Sequence, residues 1–123
     1  MDFGTFSLSL AVNDLQASKA FYKKLGFETG SDTEAEGWLI MKNDSVVIGL
    51  FQGMFEKNIM TFNPGWSEGF TAKADAMDIR EIQKKLKAEG LQLSVEADET
   101  TTGPAHLVLE DPDGNQIMLD QHV

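Results

Sequence analysis

At 123 residues the chain has the size of one domain, and its 41% apolar and 24% charged residues are those of an ordinary globule with enough core to fold without cross-links. A net charge of −10 opposes nucleic acid and anionic lipid, whose phosphates need clustered Lys and Arg, and the lack of cysteine excludes disulfides, thiolate metal sites and a cysteine nucleophile. No apolar run is long enough to span a bilayer and no basic-then-apolar leader opens the chain, so a cytoplasmic protein with no membrane partner is expected.

Phe6 to Val12 alternates strictly, with Phe6, Leu8 and Leu10 on one face and Ser7, Ser9 and Ala11 on the other. This predicts a half-buried strand whose second face is small and polar. Asn13-Asp14 offers an N-cap to a helix with Leu15, Tyr22 and Leu25 on one stripe and Phe21 alongside. Lys23 and Lys24 suit its last turn and Gly26 its stop. Strands are predicted at Phe27-Glu-Thr-Gly, Trp38 to Met41 and Val46 to Phe51, the last two joined by a turn at Asn43-Asp44.

The stretch from Gly53 to Gly69 breaks this pattern. Its Asn63-Pro64-Gly65 is a loop signal, although the stretch is too apolar for a disordered tether. A strand is then expected over Phe70, Ala72 and Ala74, followed by a helix capped by Asp78, carrying Ile79, Ile82 and Leu86, and stopped by Gly90. Leu91 to Ala97 reads as a strand, and Asp111-Pro112-Asp113-Gly114 joins two more as a tight hairpin. In its last strand Ile117 and Leu119 face one way, and Gln116, Met118 and Asp120 the other. The equal steps from Asp14 to Asp78 and from Gly26 to Gly90 argue for an internal β-α-β-β-β repeat, about 4–53 and 69–122 around a connecting loop at 54–68.

Two such units, the segment Val12 to Phe27, and Glu110-Asp-Pro-Asp-Gly-Asn-Gln-Ile-Met-Leu119 resemble the vicinal oxygen chelate superfamily, which holds glyoxalase I, extradiol dioxygenases and the fosfomycin- and bleomycin-resistance proteins. The resemblance implies an α+β fold in which the repeats form a curved mixed sheet around a cavity with the helices outside. It also implies a divalent metal on His and Glu, one ligand from the first and one from the last strand of each unit. Those positions fall on Ser7, Gly49, Gly69 or Thr71, and Met118, none of which is a His or a carboxylate. Such an ion needs nitrogen or oxygen donors, so no metal and no other cofactor is expected. Val108 stands where the extradiol dioxygenases carry a Tyr.

The predicted ligand-pocket residues are therefore Ser7, Ser9, Gly49, Phe51, Thr71, His106, Val108, Gln116 and Met118. His106 with Glu110 is the candidate acid–base pair, while His122 is read as a solvated tail residue and Lys73 as a lysine that snorkels to solvent, with a ligand carboxylate or phosphate as its partner if it points inward. Trp38, Met41, Phe51, Phe55, Met60, Phe62 and Trp66 are read as core, dimer surface or cavity lining. Three functions follow. The first is a metal-free, glyoxalase-like protein that binds a small molecule for sequestration or sensing, as a homodimer. The second is a lyase, isomerase or dioxygenase-type enzyme with a non-standard site. The third is a dimeric scaffold without ligand.

Overall fold

The computed structural model describes residues 1–67 and 71–123. Its elements in chain order are β1 (Thr5–Val12), α1 (Leu15–Lys24), β2 (Glu28–Thr29), a 3-10 turn (Glu34–Glu36), β3 (Trp38–Asn43), β4 (Val46–Gln52), β5 (Ile59–Asn63), β6 (Trp66–Ser67), β7 (Thr71–Ala72), α2 (Ile79–Ala88), β8 (Ala105–Glu110) and β9 (Gln116–Gln121). They fall into two compact units, Ser7–Ile59 and Met60–Val123, the latter joined by Met1–Phe6. The fold class is α+β, a mixed sheet with two helices.

In the first unit the strand order is β2-β3-β4-β1. The β2–β3 and β3–β4 pairs are antiparallel and β1 runs parallel to β4, which the intervening helix makes possible. α1 starts where the sequence predicts: the Asp14 carboxylate accepts the Ala17 N–H at 3.1 Å. Leu15, Leu39, Met41, Ile48 and Leu50 form the core, with Leu8, Leu10, Val12, Tyr22 and Phe27 packed on it. One face of β1 is thus committed to the helix side. Leu25, expected on the core stripe of α1, is 57% exposed because it caps the helix instead of continuing its turn.

The second unit has the strand order β5-β9-β8, with β8 and β9 antiparallel and β6 and β7 paired as a separate ribbon. Ile79, Ile82 and Leu86 of α2 pack on Leu107, Leu109 and Leu119. The hairpin at 111–114 forms, and the Asp111 carboxylate organises it. Asp111 accepts the backbone N–H groups of Asp113 and Asn115 at 2.9 and 2.8 Å, and the side-chain amide of Asn115 at 2.7 Å.

Two expectations need correction here. The predicted connecting loop 54–68 contains β5 and β6, and β5, a neighbour of β9, occupies the sheet position that β1 occupies beside β4. The strand in that position ends at Asn63, ahead of the turn at Pro64-Gly65. Of the residues expected as a strand after that turn, Thr71 and Ala72 lie in the β6–β7 ribbon, and Gly69 and Phe70 lie outside the described residues. The other correction concerns Leu91 to Ala97, predicted as a strand, where the structure forms only an isolated bridge between Val95 and Val108. The buried Gln83 amide accepts the Ala97 N–H at 2.7 Å and donates to its carbonyl at 3.0 Å, so this backbone is satisfied by a side chain of α2. Beyond it, the Arg80 guanidinium donates to the carbonyls of Asp98 and Gly103, the Thr101 hydroxyl and the Asp78 carboxylate.

Both helices begin on the same device. The Leu15 N–H donates to Gln52 Oε1 at 2.7 Å, and the Ile79 N–H donates to Gln121 Oε1 at 2.8 Å. Gln52 ends β4 and Gln121 ends β9, so a glutamine closing the last strand satisfies the first free donor of the helix in each unit. The two differ in surroundings. Gln52 is exposed, whereas Gln121 is buried and its Nε2 also donates to Asp78 Oδ2 at 3.1 Å and to the Gly103 carbonyl at 3.2 Å. Gln121→Ala should therefore cost about 1–3 kcal/mol by orphaning buried groups, and Gln52→Ala less. Gln121→Glu at neutral pH sets a second carboxylate against Asp78 and should lower the melting temperature, while Gln52→Glu keeps the one bond it needs. Thermal melts of the four variants check this ordering.

Candidate functional site

Each unit has a sheet face turned away from its helix. In the first unit that face carries Ser7, Ser9 and Ala11 of β1, Gly49 and Phe51 of β4, and Trp38 and Ile40 of β3. Register places Ser9 beside Gly49 and Gly49 beside Ile40, then Ala11 beside Phe51 and Phe51 beside Trp38. The rings of Trp38 and Phe51 stack at 5.9 Å with an interplanar angle of 10°, and Phe55 lies 5.3 Å from Phe51. Three aromatic rings thus form a half-buried apolar platform beside two serines, of which Ser7 is half-buried and Ser9 buried.

Gly49 does not leave the open space that its small size suggested. A Cβ built there would lie 2.5 Å from Phe51 Cε1 and 3.4 Å from Ile40 Cδ1. The Phe51 ring leans back over Gly49 and fills the volume itself.

In the second unit the corresponding face carries three cross-strand pairs: His106 opposite Asp120, Val108 opposite Met118, and Glu110 opposite Gln116. The structure thus brings the predicted residues of β8 and β9 onto one face. It does not join His106 to Glu110, since Val108 lies between them and Glu110 accepts the Gln116 amide at 2.5 Å. Thr71, predicted to line the same pocket, sits in the β6–β7 ribbon with its hydroxyl 2.8 Å from that of Ser67. Lys73 pairs with Asp2.

The His–carboxylate pair that does form is His122–Asp120, Nε2 to Oδ2 at 3.0 Å. His122, expected to be a solvated tail residue, is instead held by this bond. The hydrogen bond to Asp120 raises its pKa above the ordinary histidine value, against the opposing effect of partial burial. Its ring also meets Trp66 edge-on at 4.8 Å. The signal was present in the chain: His122 continues the two-residue period of Gln116, Met118 and Asp120.

The donor set does not fit the divalent metal that the resemblance implies. Ser7 offers one hydroxyl, Met118 a thioether, and Gly49 no side chain, with an aromatic ring over its Cα. The first-strand position of the second half moves to β5, which carries Ile59, Met60, Thr61, Phe62 and Asn63, again without a His or carboxylate. Among the described residues no group of three or more His, Asp or Glu is placed to hold a metal ion, and no helix is long and apolar enough to cross a membrane. An open depression lined by Lys23, Phe27, Glu28 and Thr29 holds none of the predicted site residues.

The sequence model of the glyoxalase/bleomycin resistance protein/dioxygenase superfamily matches residues 5–119. No curated protein sequence matches significantly. Among solved structures, a member of that superfamily from Vibrio splendidus 12B01 superposes with a TM-score of 0.65 at 17% identity, covering 94% of this chain and 97% of its own. A structure described as an NAD-dependent benzaldehyde dehydrogenase from Legionella pneumophila gives 0.67 at 12% identity, covering 96% and 99%. A variant of methylmalonyl-CoA epimerase from Streptomyces coelicolor, in complex with 2-nitronate-propionyl-CoA, gives 0.62 at 16% identity, covering 95% of each chain. At these identities the likeness is one of fold.

The crowding at Gly49 gives a direct test of the first open face. Gly49→Ala must push the Phe51 ring off its position, breaking its stack on Trp38, and should destabilise by about 1–3 kcal/mol through overpacking. In a Phe51→Ala background the same substitution should cost much less. A double-mutant cycle by chemical denaturation measures the coupling, and additivity of the two changes would contradict the ring placement.

Proposed function

The chain belongs to the glyoxalase/bleomycin resistance protein/dioxygenase superfamily, and from that premise we propose that it binds a small molecule on the open face of its sheet, for sequestration or sensing, without a divalent metal. The observation that carries this reading is the aromatic platform of Trp38, Phe51 and Phe55 on the face opposite the helix. A sheet that needed only one packed core would carry polar side chains there. Half-buried rings beside serine hydroxyls supply apolar contact area with a few polar groups for orientation, the usual makeup of a small-molecule site.

The metal-free part of the proposal rests on the donor set at Ser7, Gly49, β5 and Met118. Protein purified without added metal should contain no stoichiometric Zn²⁺, Ni²⁺, Mn²⁺ or Fe²⁺, and should not turn over the methylglyoxal–glutathione adduct. Elemental analysis near one metal per chain after dialysis would contradict the first expectation, and chelator-sensitive turnover both.

Binding is tested by native mass spectrometry of freshly purified protein and by thermal shift with a set of flat aromatic compounds. The expected result is at least one retained or stabilising compound whose affinity falls about tenfold in Phe51→Ala, the scale of one aromatic contact. Equal affinity in that variant would remove the platform from the site. We also propose a homodimer, on the family relationship. The loop residues that motivated it find ring partners within the chain, Phe55 on Phe51, Phe62 on Phe3 and Phe6, and Trp66 on His122. Sedimentation at micromolar concentration decides between dimer and monomer.

A further inference from the structure

His122 lies in the second unit and plays no part in the binding site proposed above. Two contacts hold it: the Asp120 carboxylate at 3.0 Å from Nε2, and the face-to-edge approach to Trp66 at 4.8 Å with an interplanar angle of 73°. The first becomes an ion pair when the imidazole is charged, and the second sets the ring that takes up the charge directly against the indole. We propose that His122 is a pH-operated latch, which when protonated holds the C-terminal end of β9 to Trp66 of the β6–β7 ribbon and occupies the carboxylate of Asp120.

The groups around it determine how such a latch would behave. From β9 the facing charge is Asp120 itself. From β8 it is His106, exposed and directly opposite Asp120 in register, within the usual 4.5–5.5 Å between Cβ atoms of a cross-strand pair. β6 contributes no titratable group, only Trp66 and Ser67. On the flanking segments Asp2 and Lys73 pair with each other, and the Lys73 N–H donates to the Gly65 carbonyl at 2.8 Å. Among the described residues Asp120 is the carboxylate that both histidines face, and release by His122 leaves it available to His106 or to a ligand on the open face of β8 and β9. Because the bond to Asp120 raises the folded-state pKa of His122, its stabilisation is fully present below the unfolded value and is lost as pH rises through the folded one. The latch closes towards acid.

The chain has only two histidines and two tryptophans, which makes the test clean. In Trp38→Phe, which leaves a ring on Phe51, emission reports Trp66 alone. Proton NMR titration of the two imidazoles is run in parallel on the unsubstituted chain. The expected result is that the Trp66 emission changes with the same midpoint as His122, and that Asp120→Asn shifts both to lower pH. His122→Gln should abolish the emission change, and His106→Gln should preserve it. Emission that stays flat through the His122 titration overturns the proposal, as does a midpoint unmoved by Asp120→Asn. The NMR arm reads the unsubstituted protein, and a His122 midpoint there at or below the ordinary histidine value overturns the proposal without any variant.

Discussion

Everything that places the open faces depends on where each helix starts, and that start is a hydrogen bond from a backbone N–H to a glutamine on the last strand. A helix leaves its first donors without partners, and a buried first residue such as Leu15 or Ile79 has limited access to water for its own. Gln52 and Gln121 resolve this by reaching from the ends of β4 and β9. The same bond that begins the helix also ties it to its sheet, so helix position and strand register are set together. Asp14 and Asp78 complete the caps from within the helix segment. The β1–β4 parallel pair then has its helix-side residues committed to the core, and its other face is free for something else.

That freedom is used differently in the two units. The first face is aromatic, built on Trp38, Phe51 and Phe55; the second is polar and charged, with His106, Asp120, Glu110 and Gln116 around Val108 and Met118. Among the described residues neither face gathers three His, Asp or Glu in a position to hold a metal ion. Family membership therefore carries the architecture further than the chemistry.

Much of the fold was legible because burial imposes a period. The alternation of Phe6 to Val12 and of Gln116 to Asp120, the stripe of Ile79, Ile82 and Leu86, and the caps at Asp14 and Asp78 all read directly as the elements observed. What failed was punctuation taken as boundary. Asn63-Pro64-Gly65 looked like a break between repeats, yet it is a turn between β5 and β6, and the equal steps between helix caps concealed where the second repeat begins. Ala97 shows the opposite limit: its backbone partners come from the side chain of Gln83, fourteen residues earlier. No local pattern announces a buried glutamine acting as a strand. The open-face pairs on β8 and β9 were legible from alternation alone, whereas the leaning of Phe51 over Gly49 was not, because it depends on a side-chain torsion.

The Phe51 ring over Gly49 has a consequence for how this sequence can change. Position 49 lies on β4, the last strand of its unit, on the face turned away from the helix. A single replacement there meets the ring before it meets solvent, so the first step is penalised whatever its eventual benefit. A smaller residue must appear at 51 first, and that change dismantles the stack on Trp38. The two positions are thus ordered in time as well as in space. A lineage that has settled on the aromatic face can gain a larger side chain at 49 only by a path that begins with losing the platform.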